Sequence, residues 1–189
     1  MGKIVSNFFM SLDGVVEAPD QWHFPYFNDE MGQVIGSGMA TTGAWLMGRK
    51  LYSEWSEYWP PNADDQGFGT FINEIPKYVL SDSLADAVWK NTTLIRGGDA
   101  VDRLRQVKAE TAGDVGMSGS ATTVRWLLAN GLLDELRLLV HPIAVGHGQR
   151  LFEETPTHPL RLADAQTLST GVLNLTYTPD PDAPTAPPR

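Results

Sequence analysis

Cysteine is absent from this 189-residue chain, and its absence excludes several kinds of chemistry. A protein without thiols cannot build a disulfide framework, use a thiolate nucleophile, or bind zinc or an iron–sulfur cluster through cysteine. Any reaction therefore depends on oxygen and nitrogen groups or on a bound cofactor.

Basic residues are scarce as well, with 14 Lys and Arg against 23 Asp and Glu and a formal net charge of −9. Nucleic-acid binding needs a concentrated basic surface that releases counterions, so this balance argues against a nucleic-acid partner. Long apolar runs are also lacking, which argues against a membrane span, and the N-terminus has no signal-peptide pattern. We therefore expect a cytoplasmic protein.

The length suits one domain, and a hydrophobic content of 42% with 20% charged residues is ordinary for a globular chain. The composition shifts only at the C-terminus, where five of the last twelve residues are proline. Proline lacks the amide hydrogen that helices and strands use. We predict one domain over residues 1–178 and a Pro-rich mobile tail over residues 179–189.

Strand-like and helix-like segments alternate along the chain. Apolar runs bounded by turn residues predict strands at 4–10, 44–48, 77–80, 92–95, 114–117, 136–145 and 172–178. Helical spacing predicts helices after the N-cap Asn28, over 49–55, over 101–109, and from Ser120 to the Asn130-Gly131 pair. This alternation predicts a three-layer α/β fold with a mostly parallel central sheet and closing strands that are antiparallel at one edge.

Two glycine-containing turns join a predicted strand to a predicted helix. One runs from Ser118 through Gly119 and Ser120, and the other is Gly48 followed by the cations Arg49 and Lys50. Such turns let backbone N–H groups and a helix N-terminus approach a phosphate. Tight turns also occur without ligands, and neither GxGxxG nor the Walker lysine is present, so both interpretations stay open. Two such turns after two strands favour a nucleotide between them.

Other polar and aromatic residues are candidates for binding a substrate, each with a structural alternative. Asp13 could orient a heterocycle or form a turn with Gly14. Trp22 could stack on a flat substrate or cover the core. Asp29 and Glu30 could supply a proton or favour the positive end of a helix.

The four histidines, His23, His141, His147 and His158, show no spacing typical of a metal site. His141 lies in a predicted strand, and its separation from His147 does not place the pair on one helical face. No G-x-S-x-G pattern indicates a hydrolase. We predict no metal site and no hydrolase chemistry.

Several short motifs occur in one order along most of the chain: Ser11-Leu12-Asp13-Gly14, Leu46-Met47-Gly48-Arg49-Lys50 with Tyr52, Val79-Leu80-Ser81, Asp114 to Ser120, Gly131 to Leu136 through Pro142, and Gly146-His147-Gly148. In this order the sequence resembles the dihydrofolate reductase-like superfamily, and most closely the reductase domain of the riboflavin-biosynthesis bifunctional deaminase-reductases. The deaminase domain, with its zinc-binding histidine and cysteines, has no counterpart in the sequence.

The resemblance implies a sheet of about eight strands with an NADPH cleft along it. By this resemblance, Gly48, Arg49 and Lys50 lie near the cofactor phosphates and Ser81 lies near the adenosine 2′-phosphate. The cradle for the pyrophosphate corresponds to Gly119, Ser120, Ala121 and Thr122. Asp82 beside Ser81 would repel a 2′-phosphate unless it turns away.

The resemblance also implies hydride transfer to a small heterocycle of pyrimidine or pterin type, as in 5-amino-6-(5-phosphoribosylamino)uracil reductase. Asp13 matches the Ser-Leu-Asp-Gly element and is the candidate catalytic residue, with Trp22, Asp29 and Glu30 as further substrate-binding candidates. Val140 lies near the position where folate reducers have threonine. The alternatives are a non-catalytic nucleotide-binding or ligand-binding dimeric module and a true dihydrofolate reductase. Analogy with the superfamily implies a homodimer that pairs through its late strands.

Overall fold

A computed structural model describes residues 2–63 and 67–183. Its centre is one eight-stranded sheet with the strand order β4-β3-β2-β5-β1-β6-β8-β7. The strands are β1 (Ile4–Ser11), β2 (Thr42–Gly48), β3 (Lys77–Leu80), β4 (Thr92–Ile95), β5 (Asp114–Met117), β6 (Glu135–His141), β7 (Leu160–Thr167) and β8 (Leu173–Pro179). Strands β1 to β6 run parallel, whereas β8 is antiparallel to both β6 and β7.

Helices cover both faces of this sheet. They are α1 (Asp29–Ala40), α2 (Arg49–Tyr58), α3 (Phe68–Glu74), α4 (Ala100–Glu110) and α5 (Ala121–Ala129). Successive side chains of a strand point to opposite faces, and in β2 Leu46 joins the core under α4 and α5 while Trp45 and Met47 join the core under α2 and α3. A third cluster lies between α1 and β6, around Met31 and Leu139. The predicted three-layer α/β architecture is confirmed.

Most predicted elements are confirmed to within a few residues. The side chain of Asn28 accepts a hydrogen bond from the Met31 amide and caps α1, as its position before the helical pattern predicts. The helix predicted after Ser120 extends to Ala129, and the Ser120 side chain caps it. The strands predicted at 77–80, 92–95 and 114–117 have those bounds.

Two features near the C-terminus differ from the sequence prediction. The strand predicted over 136–145 ends at His141, because Pro142 has no N–H to continue the ladder and the Ile143 amide turns back to the His141 carbonyl. Strand β7 has no prediction of its own, since nearly all of its residues are exposed and it has no buried apolar face.

The predicted domain boundary falls within β8, which ends one residue later at Pro179. Residues 184–189 of the predicted tail lie outside the described residues. In the part of the chain that the structure describes, no helix combines the length and the apolar character needed to cross a membrane.

Candidate functional site

The carboxyl ends of the parallel strands meet at one edge of the sheet, and the predicted site residues follow those ends. Ser81 comes after β3, Gly48 ends β2, Gly119 and Ser120 follow β5, and Asp13 follows β1. These four strands are consecutive neighbours in the sheet. Because neighbouring strands lie about 4.8 Å apart, the four positions span about 14 Å along the edge. Ligands of open α/β sheets bind at such an edge.

The two glycine-containing turns are in direct contact. A Cβ atom added to Gly48 would lie 2.7 Å from Thr123 Oγ1 and 3.3 Å from Ser120 Oγ. The hydroxyls of Ser120 and Thr123 are themselves 3.1 Å apart. Gly48 is also the N-cap of α2, and Ser120 is the N-cap of α5. The N-termini of α2 and α5 therefore lie side by side. Residue 48 has to be glycine for the start of α5 to approach so closely.

The two predicted cations differ in their surroundings. Lys50 Nζ lies 4.0 Å from Glu17 Oε1, and both side chains are largely exposed. Arg49 is exposed at the first position of α2, and within residues 2–63 and 67–183 it has no hydrogen-bond or ion-pair partner. Its guanidinium is therefore available to an anion at the two turns.

The turn after β3 shows whether the Asp82 carboxylate faces the position predicted for the 2′-phosphate. Ser81 Oγ accepts hydrogen bonds from the amides of Ser83 and Leu84, while the Asp82 carboxylate accepts one from the Gly97 amide at 2.6 Å. Asp82 is thus held toward the loop after β4. The neighbouring Arg96 donates to the carbonyls of Leu84 and Ala85, which braces the same turn.

The predicted pyrophosphate cradle lies between β5 and α5. Gly119 has a φ of +87°, in the region that glycine tolerates, and a Cβ there would approach the Phe8 ring at 3.4 Å. Ala121 is buried, whereas Thr122 is exposed on the first turn of α5. A cavity of about 360 Å³ lies beside Thr122, with Arg125 and Glu153 in its wall. Neither Gly48 nor Gly119 lines this cavity, so Thr122 is the one member of the predicted cradle in its wall.

Asp13 is held by several partners at the end of β1. Its Oδ1 accepts hydrogen bonds from Ser11 Oγ at 2.7 Å and the Val145 amide at 2.9 Å, and its Oδ2 accepts one from the Gly146 amide at 2.9 Å. Arg150 Nη2 lies 3.6 Å from Oδ2. These hydrogen bonds hold the pKa of Asp13 well below its usual range. Its contacts fix the loop after β6, and its predicted catalytic role stays a prediction.

The other predicted substrate residues are dispersed. Trp22 is buried, and its Nε1 donates to the Glu17 carbonyl. Glu30 accepts hydrogen bonds from the amide and hydroxyl of Ser169, both at 2.8 Å, which lower its pKa and tie α1 to the turn between β7 and β8. Asp29 is exposed on the first turn of α1. Neither acid joins Asp13 in a common set of contacts.

Two of the four histidines, which the sequence did not predict to meet, are buried beside Trp22. His23 is 7% exposed and stacks on Phe9 with 4.4 Å between ring centroids, and His141 is fully buried 6.0 Å from His23. Desolvation lowers the pKa of both. They are 118 residues apart in sequence, so no local spacing could reveal the pair. No group of three or more His, Asp or Glu able to hold a metal occurs in the described ranges.

The sequence is similar to those of known proteins. The sequence matches the RibD C-terminal domain over residues 2–174. The Bacillus subtilis (strain 168) protein YyaP is 24% identical over 180 residues, covering 93% of this chain and 94% of that protein.

Two solved structures share the fold. A Shewanella sp. PV-4 protein named for riboflavin biosynthesis superposes with a TM-score of 0.75 at 20% identity, covering 94% of this chain and 99% of that one. Enterococcus faecalis dihydrofolate reductase, complexed with NADP(H) and RAB-propyl, gives a TM-score of 0.59 at 14% identity, covering 95% and 97%. The chain therefore belongs to the RibD C-terminal domain family and has the dihydrofolate reductase-like fold.

Proposed function

We propose that this protein is an NADPH-dependent reductase that transfers a hydride to a small heterocycle of pyrimidine or pterin type. The observation that carries the proposal is the contact between the Gly48 and Ser120 turns, which brings two helix N-termini to one point on the carboxyl edge. Membership of a riboflavin-type reductase family supports the same reaction class. The NADP(H) complex of the Enterococcus faecalis enzyme, which has the same fold, supports the choice of cofactor.

The residues at this edge fit a phosphorylated dinucleotide. Amides at the starts of α2 and α5 would bind the pyrophosphate through Gly48, Ser120 and Ala121, because helix N-termini carry partial positive charge. Arg49 would pair with a phosphate. Ser81 would lie beside the 2′-phosphate, since Asp82 is held away by the Gly97 amide.

The bound cofactor would supply the hydride. The contribution of the chain is to bind, orient and exclude water. Asp13 fixes the loop carrying Val145 and Gly146 and, through it, the end of β6. The ionised Asp13 does not supply a proton near neutral pH, because its pKa is well below the usual range.

A titration with NADPH and NADH, followed by nicotinamide fluorescence, tests the proposal. We expect NADPH to bind more tightly than NADH, and Arg49→Ala to weaken NADPH binding about tenfold, in line with the loss of one charge-assisted contact. Arg105→Ala is the matched control, because it removes the same charge from an exposed pair with Asp102 on α4. Failure of both nucleotides to bind, or an unchanged affinity in Arg49→Ala, would contradict the proposal.

We also infer a cytoplasmic homodimer. Strand β7 is an edge strand, and Leu162 and Leu173 on β7 and β8 are exposed apolar side chains. Unpaired edge strands with apolar side chains favour association with another chain. Sedimentation velocity should give the mass of a dimer, and Leu162→Lys should give that of a monomer.

A further inference from the structure

A cluster of aromatic rings encloses two buried histidines where β1 and β6 end. The centroid of the His141 ring lies 5.3 Å from Trp22, 5.6 Å from Tyr26 and 5.8 Å from Phe9, and each pair of rings is steeply inclined. Nε2 of His141 and Nδ1 of His23 are buried and have no hydrogen-bond partner among the described residues. Leaving a buried polar atom unpaired costs about 1–3 kcal/mol. Buried polar atoms in native proteins usually have a hydrogen-bond partner, so we expect a bound molecule to supply one for these two nitrogen atoms.

The hydrogen bonds of His141 determine what kind of partner it can take. Nδ1 lies 2.8 Å from the Leu139 carbonyl oxygen. A carbonyl only accepts, so Nδ1 carries the proton, and in the neutral ring Nε2 is left with a lone pair. Burial lowers the pKa of His141, which keeps the ring neutral at physiological pH. The partner of Nε2 is therefore an N–H or O–H donor.

The charges around the cluster restrict the ligand further. The chain from Ile4 to Gly48 contains five Asp and Glu and no Lys or Arg. The cations beside this segment from other elements are paired, Lys50 with Glu17, Arg150 with Asp13 and Arg137 with Glu135. Arg49, unpaired in the described part of the chain, begins α2 after β2, which lies three strands away from β6 in the sheet. An ionised phosphate at this end of β6 would meet repulsion without a compensating cation.

Residues 18–27 form the segment that covers the histidines. The backbone hydrogen bonds of residues 18–27 join members of this segment to one another. Its rings Trp22, His23 and Tyr26 pack on His141 at the end of β6. In the described residues, Tyr26 Oη also makes a long hydrogen bond of 3.5 Å to the carbonyl of Pro142, which follows β6. Lifting the segment would uncover both nitrogen atoms on the face of β1 that also carries Phe9.

We propose that His141 and His23 are the substrate-recognition residues of this protein, and that they bind a flat heterocycle that donates a ring N–H to His141 Nε2 and carries no phosphate. The proposal rests on the reductase function above, because it places the substrate beside the edge that holds the cofactor. The aromatic rings supply the stacking surface, and the two nitrogen atoms supply orientation.

Three matched probes test the proposal on the full chain saturated with NADPH. They are 6-hydroxymethylpterin, its N3-methyl derivative, which lacks the ring N–H, and its phosphate ester. The chain has only four histidines, so ¹⁵N-histidine NMR can follow each ring separately. We expect the parent pterin to shift the His141 Nε2 resonance, and both derivatives to bind at least tenfold more weakly.

Two variants separate recognition from folding. His141→Phe should weaken pterin binding at least tenfold and leave the affinity for NADPH unchanged. His23→Phe keeps the stacking on Phe9 but removes the ring nitrogen, so it gives the same test if His141→Phe fails to fold. The control His158→Phe makes the same substitution at a residue whose hydrogen bond is with Thr155.

The outcomes for the two proposals are distinct. Pterin binding without a shift at His141, or tighter binding of the phosphate ester, would overturn the recognition proposal. Absence of pterin binding would overturn it as well, while NADPH binding measured separately would leave the reductase proposal in place. If the pterin binds at His141 and NADPH does not bind, the recognition site stands and the reductase function fails.

Discussion

The substitution Gly48→Ala tests most directly whether the two turns form one site. The added Cβ would lie 2.7 Å from Thr123 Oγ1 and 3.3 Å from Ser120 Oγ, and Thr123 is buried, so the start of α5 has to shift. Overpacking of this kind costs about 1–3 kcal/mol, and the lower chain entropy of alanine in the unfolded state returns about 0.4–1 kcal/mol. We expect a net loss of about 1–2 kcal/mol in urea unfolding and a several-fold weaker affinity for NADPH.

A double variant and a control make this prediction specific. Thr123→Ala removes the hydroxyl that the added Cβ would meet, so combining the two substitutions should cost about 1 kcal/mol less than the sum of the single effects. Gly36→Ala is the matched control, because Gly36 lies within α1 and a Cβ there meets nothing within 4 Å. It should stabilise the protein by up to about 1 kcal/mol. Wild-type stability and NADPH affinity in Gly48→Ala would refute the reasoning.

Three further predictions concern ionisable groups. The free energy of unfolding should fall as the pH drops below about 6.5, because burial lowers the pKa of His23 and His141 and the unfolded chain takes up the protons. The fall should be at most about 1.4 kcal/mol per pH unit for each histidine. Urea unfolding at pH 7.5 and 5.5 should show a smaller fall for His23→Phe than for the wild type. Lys77→Met should lower the free energy of unfolding by about 1–3 kcal/mol, because the Nζ atom of the fully buried Lys77 donates to three carbonyls at the end of α3. Thermal unfolding measures this change, and an unchanged melting temperature would contradict it. Asp13→Asn should speed hydrogen exchange at the Gly146 amide, since the side-chain amide of asparagine offers only one acceptor oxygen. Unaltered exchange would show that this contact does not hold the loop.

Local signals predicted the elements well where one face of an element is buried. Strand β2 alternates between two cores, and α1 carries its cap at Asn28, so periodicity and capping chemistry are visible in the sequence. The same signals failed for β7, whose side chains are almost all exposed. They also placed the end of β6 four residues too late, although Pro142 marks the position where the ladder loses its donor.

Candidate site residues were harder to predict, because their partners are distant in sequence. Glu30 has the position of an acid that favours the positive end of a helix, yet the amide of Ser169 donates a hydrogen bond to its carboxylate. Asp13 is followed by a glycine that suggests a local turn, yet Val145 and Gly146 hold it. Neither partnership has a signature in the local sequence.

The sequence by itself determined the chemical limits and the plan of the molecule. The absence of cysteine, the excess of acidic residues and the alternation of apolar patterns follow from composition and from spacings of a few residues, which report backbone hydrogen bonding and burial directly. The ordered motifs indicated the family, which the match over residues 2–174 confirmed.

Only the tertiary structure decided which groups meet. It brought the Gly48 and Ser120 turns into contact, turned Asp82 toward Gly97, and enclosed His23 and His141 in one cluster of rings. These arrangements depend on strand order and on helix packing between residues that are 15 to more than a hundred positions apart. No local pattern specifies them, because the free energy that fixes them comes from burial of the whole sheet.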